Sequence, residues 1–228
     1  MSLSLSFATG QQTETTLKIN EKASISYLQY LPKGFDDSET HKKYPLILFL
    51  HGRGESNGPL SIVKKWGPPR IAGEKDLPYI VISPQCPRAS WWHHDDQQEL
   101  LIQLLAHVQK EFPVDQKRIM LTGLSMGGYG SWELASRLPK TFAGVVPICG
   151  GGIPKNAAKL TKIPIWNWHG DEDKVVPLSK SIEMVEAVKK AGGKMIEFTI
   201  LKGVGHNSWS AAYGDAKLWE WFAKQKLE

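Results

Sequence analysis

The run Gly123-Leu124-Ser125-Met126-Gly127 fits the pattern Gly-x-Ser-x-Gly. The pattern suits a serine carried on a strand-to-helix turn so sharp that side chains two residues to either side of it would collide. A serine held there can attack a carbonyl if three further parts are present. It needs a base to take its proton, a group to orient that base, and N–H donors for the oxyanion. The chain offers candidates for each. Asp171, Glu172 and Asp173 stand together in His169-Gly170-Asp171-Glu172-Asp173-Lys174-Val175-Val176-Pro177. His206 lies in Gly203-Val204-Gly205-His206-Asn207-Ser208-Trp209, and Leu50-His51-Gly52-Arg53-Gly54 can present backbone N–H groups. In a chain with 21 glycines the five-residue pattern arises by chance roughly 0.1–0.2 times, so the surrounding elements must decide its meaning.

Those elements alternate. Strands are expected at Ser24–Leu31, Tyr44–Leu50, Tyr79–Ser83, Arg118–Thr122, Phe142–Cys149, Ile163–Trp168 and Lys194–Leu201. Several are apolar at nearly every position, as strands covered by helices on both faces are, which predicts a mainly parallel sheet. Helical spacing predicts helices over Glu99–Phe112, Gly127–Leu138, Leu178–Ala191 and from Asp215, as N-cap, through Phe222. The pattern reads as one α/β domain over residues 1–228, with 1–15 as an irregular N-terminal segment. Ser125 then sits between a strand and a helix. The acidic cluster and His206 follow strands, where open α/β sheets place their ligand sites.

Together these segments resemble a minimal α/β-hydrolase of the carboxylesterase and dienelactone-hydrolase-like type. The likeness is to the branch termed predicted peptidase or polyhydroxybutyrate-depolymerase/feruloyl-esterase-like. It rests on Leu50 to Glu55, Ser83-Pro84-Gln85-Cys86-Pro87 with Trp91-Trp92, Gly123 to Gly130 and the two late loops, and spans about residues 25 to 225. It implies an α/β-hydrolase fold with a mainly parallel sheet, helices on both faces and no large lid insertion. Only Gly150 to Lys162 separates the relevant strands, room for a turn and a short helix. The resemblance gives Ser125 the role of nucleophile, His206 that of base and Asp173 that of acid, through the family pattern H-G-x-x-D-x-x-V-P. Asp171 and Glu172 become solvated loop charges. His41, His93, His94 and His107 precede the serine, against the family's order, and His51 and His169 belong to strand-end turns with structural hydrogen bonding. The N–H groups of Arg53 and Met126 match oxyanion donors, and Trp91 and Trp92 match aromatic walls of a substrate pocket. The implied activity is hydrolysis of carboxylic esters through an acyl-enzyme, without metal or organic cofactor. Small-molecule or carbohydrate-linked esters with short-chain or aryl acyl groups are the expected substrates. A serine peptidase of the same fold and a silent binding module that keeps the fold are the competing readings.

Composition excludes other classes. The charge of +5 and a pI near 9.1 raise the question of nucleic acid. However, pairs such as Lys42-Lys43, Lys64-Lys65 and Lys189-Lys190 are scattered, with no basic stripe among exposed aromatics. The longest clean apolar run, Leu46 to Leu50, falls far short of the ~20 residues of a membrane span. Met1 to Gly10 has neither a positive start nor a long apolar stretch, and cysteine use assigns no compartment. Cys86 and Cys149 are expected free, because two strands of ~4.8 Å spacing should separate theirs. The run His93-His94-Asp95-Asp96 contains metal-ligand types but reads as a solvated loop with an Asp capping the next helix.

Overall fold

In β3 (Tyr44–Leu50) every residue is buried. Side chains alternate across a strand, so such a strand demands cover on both faces. Leu46, Leu48 and Leu50 join one apolar cluster, Ile47 and Phe49 the other. The computed structural model describes residues 12–38 and 41–228, and its sheet has eight strands in the order β1-β2-β4-β3-β5-β6-β7-β8. The others are β1 (Gln12–Lys18), β2 (Ser24–Tyr30), β4 (Ile80–Pro84), β5 (Val114–Leu124), β6 (Gly144–Ile148), β7 (Ile165–Gly170) and β8 (Ile196–Leu201). Strands β1 and β2 run antiparallel to their neighbours; the pairings from β4 to β8 are parallel.

Among the described residues six α-helices cover the two faces: α1 (Gly67–Glu74), α2 (Asp95–Glu111), α3 (Met126–Arg137), α4 (Ser179–Lys190), α5 (Ser208–Gly214) and α6 (Ala216–Lys224). Leu101, Leu104 and Val108 of α2, Trp132 of α3 and Met184 of α4 fill one layer. Ala72 of α1, Tyr213 of α5 and Phe222 of α6 fill the other, so the sheet lies between two helical layers. Here the expected architecture holds: a mainly parallel sheet with helices on both faces. Cys86 and Cys149 are free and buried, with β3 and β5 between the strands that carry them. No helix among the described residues is long and apolar enough to cross a membrane.

Two expectations need correction. Residues 12–15 belong to β1, whose Leu17 pairs with Ile25, rather than to an irregular N-terminal segment; residues 1–11 lie outside the described residues. Helix α2 begins at Asp95, and its N-cap is His94 with no side-chain capping bond. Asp95 and Asp96 therefore sit in the first turn, where the positive end of the helix dipole favours them, and neither caps it. Residues 54–77 contain a 3-10 turn (Leu60–Lys65) and α1, and bury Val63, Ala72 and Leu77 against the sheet. Between β6 and β7 lies only a short loop and the 3-10 turn Pro154–Leu160, as the segment's length requires.

Candidate active site

Ser125 follows β5 and caps α3 with φ 52° and ψ −113°. A non-glycine residue at positive φ is strained and persists only where its surroundings force it. Here they do. Ser125 N donates to Ile148 O at 2.9 Å, while a Cβ on Gly127 would fall 1.9 Å from Leu50 O and one on Gly123 2.4 Å from Gly127 O. The two glycines let the turn back directly onto the end of β3, and the serine hydroxyl faces outward. Ser125 Oγ lies 2.9 Å from His206 Nε2.

His206 sits in the loop after β8, half-buried, and its Nδ1 lies 2.7 Å from Asp173 Oδ2. Asp173 follows β7 with its carboxylate fully buried. Its Oδ1 accepts the N–H groups of Val175 and Val176 at 2.8 and 2.9 Å. Burial by itself would raise this carboxyl's pKa. The bond to His206 and the N–H groups of Val176 and Val175 outweigh it and hold the acid below its ordinary value. An ionised Asp173 fixes a proton on His206 Nδ1, which leaves Nε2 free to accept from Ser125. Asp171 and Glu172 are exposed. Asp171 is nonetheless engaged rather than simply solvated: it accepts Gly203 N–H at 2.6 Å and ties the acid loop to the histidine loop. Cys149 (φ 39°) closes the floor beneath them, and burial pushes its thiol up to about 12, so it stays protonated.

Arg53 opens a 3-10 turn and Met126 opens α3, and a helix leaves the N–H groups of its first residues without internal partners. Two such donors flanking the serine can hold an oxyanion. The Arg53 guanidinium braces its own loop by donating to the carbonyls of Ser90, at 2.7 Å, and Arg88 while lying 4.6 Å over the Trp91 ring. Behind it, His51 Nε2 accepts Cys86 N–H at 2.9 Å, so His51 Nδ1 must donate to Gly52 O at 2.6 Å. Burial lowers the His51 pKa to about 4, which keeps the ring neutral.

Adjacent tryptophans part company. Trp91 is 39% exposed beside Arg53. Trp92 is completely buried: its indole N–H donates to His51 O at 3.1 Å and its ring meets His51 edge-on at 5.2 Å. Trp92 thus lines no substrate wall, correcting the expectation for that residue. Through its bond to His51 O this ring braces the 51–53 loop from behind. Sequence reasoning gave one neighbour of the site no role. Trp209, three residues after His206, packs T-shaped on its ring at 5.2 Å. Beyond Trp209 runs a groove of about 420 Å³, bounded by Trp66, Arg70, Tyr213 and Trp219. His169, expected at a strand-end turn with structural hydrogen bonding, is fully buried and makes such bonds, and its Nε2 also lies 3.1 Å from Asp173 Oδ2. The motif H-G-x-x-D was the only signal of that last contact.

A family model described as phospholipase/carboxylesterase matches residues 92–219, more than half the chain. Feruloyl esterase C of Emericella nidulans is 28% identical over 190 residues, 81% of this chain and 68% of that protein. The "Probable feruloyl esterase C" of Aspergillus terreus is 26% identical over 188 residues, with the same coverage. Among solved structures, a thermostable esterase superposes with TM-score 0.81 at 29% identity over 94% of this chain but 63% of its own. A ferulic acid esterase superposes with TM-score 0.65 at 22% identity over 89% of this chain and 96% of its own, a likeness of fold.

Proposed function

Because the chain belongs to the phospholipase/carboxylesterase family of α/β-hydrolases, we propose that it hydrolyses carboxylic esters with Ser125 as nucleophile, His206 as base and Asp173 as acid. One observation carries the reading: Asp173 Oδ2, the two His206 nitrogens and Ser125 Oγ form an unbroken relay at 2.7 and 2.9 Å. Ser125 Oγ attacks the ester carbonyl while His206 Nε2 takes its proton, and Asp173 stabilises the imidazolium that results. The carbonyl oxygen, now an anion, lies against the N–H groups of Arg53 and Met126, each worth on the order of 3 kcal/mol in the transition state. Collapse of the tetrahedral adduct expels the alcohol, which takes the proton from His206, and leaves an acyl group on Ser125. Water, deprotonated by His206, then attacks the acyl-enzyme, and its collapse frees the acid and restores Ser125.

For substrate we propose short-chain and aryl esters. The feruloyl esterase relatives support an aryl acyl group, and the exposed Trp91, held by Arg53, offers a flat face beside the oxyanion loop. The alcohol must leave next to His206, where Trp209 stands. The short β6–β7 segment forms no large apolar flap, so the reading predicts hyperbolic kinetics without a rate jump on emulsified lipid.

A panel of 4-nitrophenyl acetate, methyl ferulate, acetylated xylo-oligosaccharides, triolein and blocked peptides tests both parts. Ser125→Ala should lower ester hydrolysis by roughly 10⁴–10⁶-fold and abolish labelling by a fluorophosphonate. Undiminished activity in that variant would refute the nucleophile; peptide cleavage exceeding ester cleavage would favour the peptidase.

A further inference from the structure

The buried carboxylate of Asp173 faces not one histidine but two. His206 Nδ1 lies 2.7 Å from Oδ2, and His169 Nε2 lies 3.1 Å from the same oxygen. His169 is held at both ring nitrogens: Nε2 is 2.9 Å from Val176 O and Nδ1 is 2.7 Å from Ser181 Oγ. These contacts fix its tautomer. Nε2 faces two acceptors and no donor, so it must carry the proton, shared between the Val176 carbonyl and the Asp173 carboxylate. Burial holds the ring below the usual imidazole pKa, so it is neutral, and with Nε2 protonated its Nδ1 accepts the Ser181 hydroxyl proton at 2.7 Å in preference to Gly150 O, 3.1 Å from the same hydroxyl. Val176, whose carbonyl His169 holds, also gives its own N–H to Asp173 Oδ1. One ring therefore grips the acid turn at its carboxylate and at its backbone.

We propose that His169 is a positioning residue for the acid: its Nε2–H fixes the Asp173 carboxylate and weakens its pull on the His206 proton. The inference rests on the ester-hydrolase reading. A carboxylate with its full set of donors is a weaker acceptor toward any one of them. Removing the His169 donor concentrates charge on Oδ2, stabilises the His206 imidazolium, and keeps the base protonated up to a higher pH. It also frees the 173–176 turn. Other ionisable groups facing the pair do not change charge in the working range. Burial lifts the Cys149 thiol, at the end of β6, to about 12, and also raises the phenol of Tyr129 on α3. Asp173 itself is held below its ordinary value by the causes given above.

The test compares full-length His169→Phe, His169→Asn and His169→Gln with the wild-type enzyme, each checked by thermal melting. Phe deletes both nitrogens and Asn reaches only the Ser181 side, whereas Gln can return an N–H near the Nε2 position. Phe and Asn should lower kcat roughly 10- to 100-fold with KM within about twofold. They should also move the acid limb of the kcat/KM profile upward by ~0.5 pH unit or more, with Gln recovering much of both. If Phe fails to fold, Asn against Gln decides. A folded Asn variant with wild-type kcat and an unmoved acid limb overturns the proposal, as does a Gln variant no better than Asn. Loss of Tm alone assigns His169 a purely structural part and also overturns it. Ser125→Ala runs alongside: retained hydrolysis there defeats the ester-hydrolase reading itself, whatever the His169 variants do.

Discussion

The site is built from two regions held in different ways. The Ser125 side, residues 51–52, 92 and 123–130, is welded into the core. Gly127 rests against Leu50 O, while Trp92 and His51 are fully buried behind the loop. The acid and histidine side, residues 169–177 and 201–209, consists of loops joined by polar bonds. Asp173 is held by the N–H groups of Val175 and Val176, and Asp171 by Gly203. Apolar packing sets position through volume, so damage to it costs stability first. Hydrogen-bonded loops set position and protonation together, so damage there costs rate first.

The sharpest way to break this contrast is in the acid loop. Asp173→Asn should cut kcat about 10⁴-fold, because the amide favours the wrong His206 tautomer, while Tm changes little. Asp171→Asn, which loses only an exposed loop staple, should cost no more than a few-fold. Equal losses, or a greater one at Asp171, would reassign the acid. On the welded side the order reverses. Trp92→Ala removes a completely buried indole and should destabilise the fold by about 3–5 kcal/mol in denaturant melts. Trp91→Ala should leave the melt within about 1 kcal/mol and act mainly on KM for aryl esters. A Trp92→Ala protein as stable as wild type would show that the region is not welded at all.

A test by pH probes the welded region alone. His51, with its pKa near 4 in the fold and ordinarily about 6.5, binds fewer protons folded than unfolded between those values. Its contribution to stability is therefore complete above about pH 6.5 and is lost as pH falls toward 4, by roughly 3 kcal/mol. His51→Asn can keep a donor to Gly52 O but cannot titrate, so its stability should fall less steeply over that range. Urea melts at pH 7, 5.5 and 4.5 measure the slope; parallel slopes for wild type and variant would mean that His51 is not the buried neutral ring described here.

The same contrast explains what could be read beforehand. Gly123, Ser125 and Gly127 are legible because backbone crowding at the elbow admits nothing larger than glycine, and such a constraint appears directly in residue type. The continuous apolar character of β3 announced helices on both faces for a similar reason. The boundaries of α2 and the existence of β1 were not legible. An aspartate can begin a helix or cap it, and Gln12–Lys18, polar at every position but Leu17, becomes a strand only because β2 offers it an edge.

What the sequence alone determined is local: a serine on a forced turn, a strand–helix alternation that can only fold as a covered parallel sheet, and a shortlist of acids and histidines placed after strands. Each follows from sterics or from solvent exclusion, which act between near neighbours in the chain. Tertiary structure alone decided the rest. Asp171 ties its loop to that of His206, Trp92 turns inward while Trp91 stays out, and His169 reaches Asp173. The reason is physical. Those choices depend on distances between groups brought together from separate strands, and residues of the same type, a few places apart in one loop, differ only in which neighbour the fold puts within three ångströms.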